Sequence, residues 1–200
     1  MKQTITTILI LTSLISFSQN NYFKEIKLFQ KELNTQYVDT AESPLTKEDL
    51  ATFKSLDFYP INEKYKVVAK FNRTENTVPF KMKTTTDRAP IYEKYGEIEF
   101  EIDGKTIKLN IYQSHRLRKT QKYKNYLSLP FTDKTSGKTS YGGGRYVDLT
   151  IPSGNTIIID FNKSYNPYCA YNHKYSCVVP PSENYIKTEI KAGVKKYNKH

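Results

Sequence analysis

The chain has 200 residues, enough for one domain that buries a substantial core without needing disulfides or metals. Only 38% of residues are hydrophobic but 14% are aromatic, which favours an aromatic, β-rich core. An excess of basic residues, 31 against 20 acidic ones, gives a formal charge of +11 and favours small anionic ligands or glycans. Most of the lysines stand singly, which is typical of a solvated surface, so we expect no nucleic-acid partner.

Residues 1–18 have the pattern of a cleaved export signal. Lys2 forms a short positive start, an apolar run follows, and Ser16 and Ser18 fit the positions before a cleavage site, so the mature chain would begin near Gln19. The apolar run is shorter than the roughly 20 residues of a membrane anchor, and no later segment is apolar enough to span a bilayer. The sequence therefore predicts a periplasmic or secreted protein with no transmembrane segment after cleavage.

Residues 19–44 form a predicted N-terminal helical segment. Apolar residues recur at helical spacing between residues 21 and 36, namely Phe23, Ile26, Phe29 and Leu33. A second, short helix is predicted from Thr46, whose hydroxyl can cap it, to about Ser55.

The rest of the chain, residues 45–200, predicts a β-rich domain. Strands are expected over residues 65–71, 80–86, 95–101, 106–112, 127–131, 146–151, 156–161 and 185–191. Asp103-Gly104 suits a two-residue hairpin turn with positive φ. Helices first and strands after indicate an α+β fold, in which N-terminal helices cover a mostly antiparallel, barrel-like or strongly curled sheet.

A basic segment, Arg116 to Lys124, connects two of these strands. It carries five cations with Tyr123 and Tyr126 beside them, a composition that can bind phosphates and stack on rings. The alternative interpretation is a solvated, mobile connection.

Three stretches together resemble one family. They are PFTDKTSGKTSYGGGRYVDL, IIIDFNKSYNPYCAYNHKYSCVVPPSEN and, upstream, YGEIEFEIDGKTIKLNIYQ. The chain from about Leu45 to Gly193 is similar to the uncharacterised bacterial and archaeal family DUF1684. The resemblance implies a shared fold and a shared site but no activity, so the chemistry depends on the residues themselves.

The first motif predicts an anion-binding loop. Gly143 and Gly144 in a run of three glycines allow the backbone to turn sharply, and Arg145 follows with Tyr141 nearby. The alternative is a glycine-rich turn without a ligand. In the second motif, Asp160 and Asn162 end an apolar strand, where side chains often meet ligands. Turn capping or a structural ion-pair network of Arg145, Asp148 and Asp160 is the alternative there.

Cys169 and Cys177 are the only cysteines, and in an exported protein two cysteines this close normally form a disulfide. Closing so short a loop would stabilise the chain by roughly 2 to 3 kcal/mol. The alternative is a metal site in which His173 joins the two thiolates, but the spacing is unusual for zinc. We expect neither a metal nor a cofactor.

These residues support three functional hypotheses. The first is an exported module that binds a small anionic or carbohydrate-like ligand through Arg145, the glycine amides, Asp160 and Asn162, with Tyr141, Tyr165 or Tyr171 stacking on it. The second is a hydrolase that uses Asp133 or Asp160 with His173, or a carboxylate pair that includes Asp148. The third is a structural, envelope-associated protein.

Overall fold

A computed structural model describes residues 21–198. The predicted export signal, residues 1–18, lies outside the described residues. The fold is α+β, with an N-terminal helix and an antiparallel, strongly curled half-barrel sheet, as the sequence predicts. Within residues 21–198 we find no helix with the length and apolarity needed to cross a bilayer.

Helix α1 covers residues 21–38, close to the predicted bounds. Its buried face differs from the predicted one, since Phe23 is 42% exposed. The reason is that the Tyr22 hydroxyl donates to the Asp160 carboxylate (3.0 Å), which turns the Tyr22 side of the helix towards the sheet. The buried positions, at helical spacing, are Tyr22, Ile26, Gln30 and Tyr37.

Helix α2 (Lys47–Thr52) is capped as predicted, because the Thr46 hydroxyl accepts from the Asp49 N–H (3.1 Å). It is shorter than predicted. Phe53 is extended, and the Leu56 N–H donates to the Asn34 side chain of α1 (2.7 Å), so a contact with α1 replaces the next helical turn.

The sheet has eight strands in the order β6-β5-β4-β3-β1-β7, with β2 paired to β3 and β8 paired in parallel to β5. The strands are β1 (Lys66–Arg73), β2 (Phe80–Lys81), β3 (Ile91–Ile102), β4 (Lys105–Ser114), β5 (Tyr126–Asp133), β6 (Arg145–Thr150), β7 (Thr156–Asp160) and β8 (Tyr185–Ile186).

The hairpin of β3 and β4 is confirmed. Asp103 and Gly104 both have positive φ, 51° and 68°, which matches the twist of the flanking strands. Phe100 pairs with Ile107, and Ile98 pairs with Leu109 on the same buried face.

Two predicted strands are shorter than expected. Of residues 80–86, only β2 is a strand, and Thr84 instead makes an isolated bridge to Val178. Of residues 185–191, only β8 is a strand, because the Ile190 N–H leaves the ladder and donates to the Asp133 carboxylate (2.7 Å).

The basic segment contains two one-turn 3-10 helices, and most of its cations are exposed. It is held to the sheet at Arg118, which forms an ion pair with the partly buried Glu93 (2.8 Å).

The curled sheet encloses the main core. Alternate residues of its strands meet there, with Ile98, Leu109, Leu129, Phe131, Ile159 and Phe161 among them. A second cluster joins α1 to the C-terminal segment through Tyr37, Leu45, Leu56, Tyr171 and Val194.

Gly193 is the position where an added methyl group should cost most. Its φ is +74°, and a Cβ there would lie 2.1 Å from Ser164 Oγ and 2.4 Å from the Ser164 carbonyl oxygen. We expect Gly193→Ala to lower the free energy of unfolding by roughly 2 to 5 kcal/mol, the sum of left-handed strain and forced packing. Urea denaturation measures the change.

Two other glycines serve as matched controls. Gly104→Ala meets no atom within 4 Å but has φ +68°, so it should show the backbone strain alone. Gly154→Ala meets no atom within 4 Å either and should change the free energy of unfolding by less than about 1 kcal/mol. Equal losses in all three variants would contradict the packing argument.

Candidate functional site

Arg145 and Asp133, two of the predicted site residues, form a buried ion pair. Neither side chain is solvent-accessible, and Arg145 Nη2 donates to Asp133 Oδ1 (3.2 Å). The same guanidinium donates to the carbonyl oxygens of Ile190 (2.8 Å) and Ala192. Burial lowers the pKa of Arg145, and the charge of Asp133 opposes that shift. The arrangement holds the C-terminal segment to the sheet and leaves no guanidinium surface open to a ligand.

The glycine run is used for close packing. Gly144 has φ +86°, and a Cβ there would lie 2.6 Å from both the Phe131 carbonyl oxygen and the Pro180 ring. Its N–H donates to the Tyr141 carbonyl (3.1 Å). A Cβ at Gly143 would collide with the Tyr141 ring at 2.5 Å. The predicted anion site of Gly143, Gly144 and Arg145 is therefore not assembled, because Arg145 lies on the buried side of the turn.

Asp160 and Asn162 are also buried, and they fasten α1 to the sheet. The Asn162 amide donates to the Tyr22 hydroxyl (2.9 Å) and to the Asp160 carboxylate (2.9 Å), and its oxygen accepts from the Asn62 N–H (3.0 Å). The Asp160 carboxylate also accepts from the Tyr22 hydroxyl. These bonds occupy the polar atoms of Asp160 and Asn162 that the sequence analysis predicts to bind a ligand.

Asp133 and Asp160, the proposed acid and base residues, are each held by internal hydrogen bonds. Asp133 accepts from Arg145, Thr135 and the Ile190 N–H, and Asp160 accepts from Tyr22 and Asn162, whereas His173 lies in an exposed turn.

Cys169 and Cys177 lie next to each other as free thiols. The Cys169 N–H donates to Cys177 Sγ (3.2 Å). A hydrogen bond from the Cys177 thiol lowers the pKa of Cys169 to about 7, although burial opposes it. Nowhere in residues 21–198 do three His, Cys, Asp or Glu side chains gather as metal ligands, so the alternative site with His173 is not formed there.

A cavity of about 530 Å³ opens between α1, the outer face of β5 and β6, and the segment around Cys177. We call it the tyrosine cavity, because eight tyrosines line it. They are Tyr37, Tyr92, Tyr123, Tyr126, Tyr146, Tyr165, Tyr168 and Tyr175.

The alternation of β5 and β6 produces one wall of this cavity. In β5, Leu127 and Leu129 face the core, so Tyr126 and Ser128 face the cavity. In β6, Val147 faces the core, and the residues on either side of it face the cavity. Ser128 and Asp148 are directly opposite each other in the ladder, so both lie on the cavity wall.

Asp148 is the carboxylate of the tyrosine cavity. Its Oδ1 accepts from the hydroxyls of Tyr126 (2.8 Å) and Tyr165. Asp148 is an exposed residue, but protein surrounds much of its carboxylate, and this burial raises the pKa of Asp148 while the two tyrosine hydrogen bonds oppose the rise. The sequence indicates Asp148 only as one of several carboxylates and Tyr126 only as a stacking residue beside the basic segment, and it gives no sign of Tyr146. The alternating pattern of Tyr146-Val147-Asp148-Leu149 is the signal that places Asp148 opposite the core.

The remaining walls come from distant parts of the chain. Phe29, Leu33 and Gln36 of α1 line one side, and the Gln36 amide donates to the Tyr168 hydroxyl (2.7 Å). Tyr146 meets Tyr165 edge to face at 5.9 Å and donates to the Val178 carbonyl. The cavity is thus a mainly aromatic enclosure with one accessible carboxylate.

Residues 51–195 match the sequence model of the family DUF1684, whose description is 'protein of unknown function'. The chain belongs to this family. Its matched region contains the whole sheet and the Asp148 wall of the tyrosine cavity, while α1 lies before it.

One solved structure extends this likeness beyond the matched region. The solution NMR structure of the uncharacterized protein from gene locus rrnAC0354 of Haloarcula marismortui is 28% identical, covers 92% of this chain and 98% of its own, and has a TM-score of 0.69. No curated protein matches the chain. The family and this structure support the fold, and neither carries a stated activity.

Removing the Asp133 carboxylate should destabilise the fold. Asp133→Asn leaves the Arg145 guanidinium buried without a counter-charge, and we expect a loss of roughly 3 to 5 kcal/mol in the free energy of unfolding. The matched control is Asp57→Asn, which breaks an exposed ion pair with Lys195 (3.1 Å) and should cost less than about 1 kcal/mol. Chemical denaturation compares the two, and similar small losses would show that the buried pair does not hold the structure.

The sequence predicts both export of the chain and a disulfide between the two cysteines. The Cys169 thiolate is the more available nucleophile, because its pKa is lowered towards 7 while hydrogen bonding and burial raise that of Cys177. Intact mass of protein purified from the culture medium or periplasm should be about 2 Da below the reduced mass and recover on reduction. Cys177→Ala, which should show no such shift, is the control, and an unshifted wild-type mass would disprove the prediction.

Proposed function

We propose that this protein is an exported binding module whose tyrosine cavity takes a small hydroxylated, carbohydrate-like ligand. The observation that carries the proposal is Asp148, a carboxylate that remains accessible within an aromatic cavity. The hydrolase interpretation gains no support, because Asp133 and Asp160 are occupied by internal hydrogen bonds.

The size and the lining of the cavity support a small ligand. Its volume of about 530 Å³ lies within the range of small-molecule sites, which is roughly 300 to 1,000 Å³. Tyrosine combines a flat apolar ring with a hydroxyl that donates and accepts. A sugar presents C–H faces and hydroxyl edges, and a wall of tyrosines can contact both.

Asp148 supplies the strong acceptor in this cavity. The hydroxyls of Tyr126 and Tyr165 both donate to Oδ1, which fixes the position of the carboxylate and leaves Oδ2 for a ligand hydroxyl. Hydrogen bonds to a charged acceptor are roughly twice as strong as neutral ones. Ser128, opposite Asp148 in the ladder, adds a second hydroxyl contact on the same wall.

The ligand groups differ from those that the sequence predicts. Arg145, Asp160 and Asn162 serve the fold, and Tyr171 is buried against Tyr37 at 4.9 Å. Of the predicted stacking residues, Tyr165 lines the cavity.

Asp148→Asn tests the proposal. We expect saturable binding of a neutral monosaccharide from a panel of glucose, galactose, mannose and N-acetylglucosamine, measured by saturation-transfer NMR and calorimetry. The variant should weaken that binding about tenfold or more, because the charged acceptor is lost, without lowering the melting temperature. Glu101→Gln, which alters an exposed carboxylate outside the cavity, should leave binding unchanged.

The pH dependence provides a second readout of the same contact. Because the pKa of Asp148 is raised, its carboxylate takes up a proton at a higher pH than an ordinary aspartate. Affinity should therefore fall on acidification from about pH 7 to about pH 4, and the fall should be absent in Asp148→Asn. Absence of binding across the panel, or an unchanged affinity in the variant, would refute the proposed function.

A further inference from the structure

Arg88 lies at the mouth of the tyrosine cavity with part of its guanidinium unused. Its Nε donates to Ser176 Oγ (3.0 Å) and its Nη2 to the Ser176 carbonyl (2.7 Å), so the exposed side chain is held in one orientation. Both residues line the cavity. In the part of the chain from residue 21 to 198, no carboxylate lies within ion-pair distance of Arg88.

This lack of a counter-charge separates Arg88 from most arginines of the chain. Arg73 and Arg118 pair with Glu93 (3.5 and 2.8 Å), and Arg145 pairs with Asp133. Arg116 is the other arginine without an acidic partner among the described residues.

Arg116 lies next in the chain to a residue of the same cavity. It precedes Leu117, which lines the mouth. Tyr92, another lining residue, is opposite Ser114 in the β3–β4 ladder, and Arg116 follows Ser114 by two residues. Burial raises the pKa of Tyr92, while the charges of Arg88 and Arg116 oppose the rise. Two unpaired cations therefore flank one edge of the cavity.

The negative charge of Asp148 and the positive charge of Arg88 lie in different parts of the cavity. Tyr146 and Asp148 are two residues apart on β6, a separation of about 7 Å. The Tyr146 hydroxyl reaches the Val178 carbonyl, next to the segment that holds Arg88, while Asp148 lies with Tyr126 and Tyr165. The acceptor and the cations can thus contact different parts of one ligand.

We propose that the ligand of the tyrosine cavity carries an anionic substituent, a phosphate or a carboxylate, that binds Arg88 and Arg116 while its hydroxylated part binds Asp148. Guanidinium groups match the geometry of both anions. The inference rests on the proposed function, and it narrows the ligand class to phosphorylated or acidic sugars.

The anion site can be tested without the sugar. The Nε–H signal of Arg88 in 15N-labelled protein, assigned by its loss in Arg88→Lys, should shift saturably with inorganic phosphate and not with glucose. Arg116→Ala should weaken the phosphate affinity several-fold. The Arg73 signal, from an arginine already paired with Glu93, is the internal control. A linear drift of the Arg88 signal equal to that of Arg73, or an unchanged affinity in Arg116→Ala, would overturn the anion site.

Matched sugars then test the ligand class. Glucose 6-phosphate should bind about tenfold more tightly than glucose, and Arg88→Ala should remove this difference. Lys119→Ala removes an exposed cation of the basic segment that does not line the cavity, and it should keep the difference in affinity between the two sugars. Equal affinities for the two sugars in the wild type would overturn this inference and leave the proposed function intact, whereas no binding of any neutral sugar would overturn both.

Discussion

The buried guanidinium of Arg145 is the contact on which the rest of the structure depends. It joins β6 to Asp133 of β5 and to the carbonyls of Ile190 and Ala192, so the C-terminal segment is fixed against the sheet. A charge without solvent is tolerated only when it is paired and hydrogen-bonded, and here Asp133 and the two carbonyls supply partners to both Nη atoms, while Nε has no partner among the described residues. Arg145 is on β6, Asp133 is on β5 and the two carbonyls are on the C-terminal segment. These contacts therefore specify one arrangement of the three parts of the chain.

This arrangement extends to the cavity through a short series of contacts. Ala192 accepts from Ser164 Oγ (3.3 Å), and the next backbone bond joins the Val194 N–H to the Ser164 carbonyl (2.9 Å). Tyr165, the following residue, exchanges two backbone hydrogen bonds with Tyr146 (2.9 and 3.0 Å). That bridge positions the Tyr165 hydroxyl on Asp148. The buried ion pair and the candidate site are therefore linked by a continuous series of hydrogen bonds, although none of the residues of the ion pair lines the cavity.

Local patterns in the sequence predict the elements well and the site poorly, for a physical reason. The Thr46 cap and the Asp103-Gly104 turn depend on neighbouring residues alone, and both are confirmed. Arg145 follows a run of glycines and Asp160 ends an apolar strand, positions typical of ligand contacts, and only the docking of the C-terminal segment and α1 makes them buried. Asp148 lies in an ordinary strand, and only the tyrosines brought by the fold make it distinctive.

The segment around Cys177 connects the cysteine pair to the cationic edge of the cavity. Cys177 exchanges backbone and side-chain hydrogen bonds with Thr85 (2.9 and 3.1 Å), and Ser176, its neighbour, holds the guanidinium of Arg88. A disulfide to Cys169 would restrict this segment and so reduce the entropy that Arg88 loses when an anion binds. The cysteines would then contribute to recognition without touching the ligand, by fixing the serine that orients the arginine.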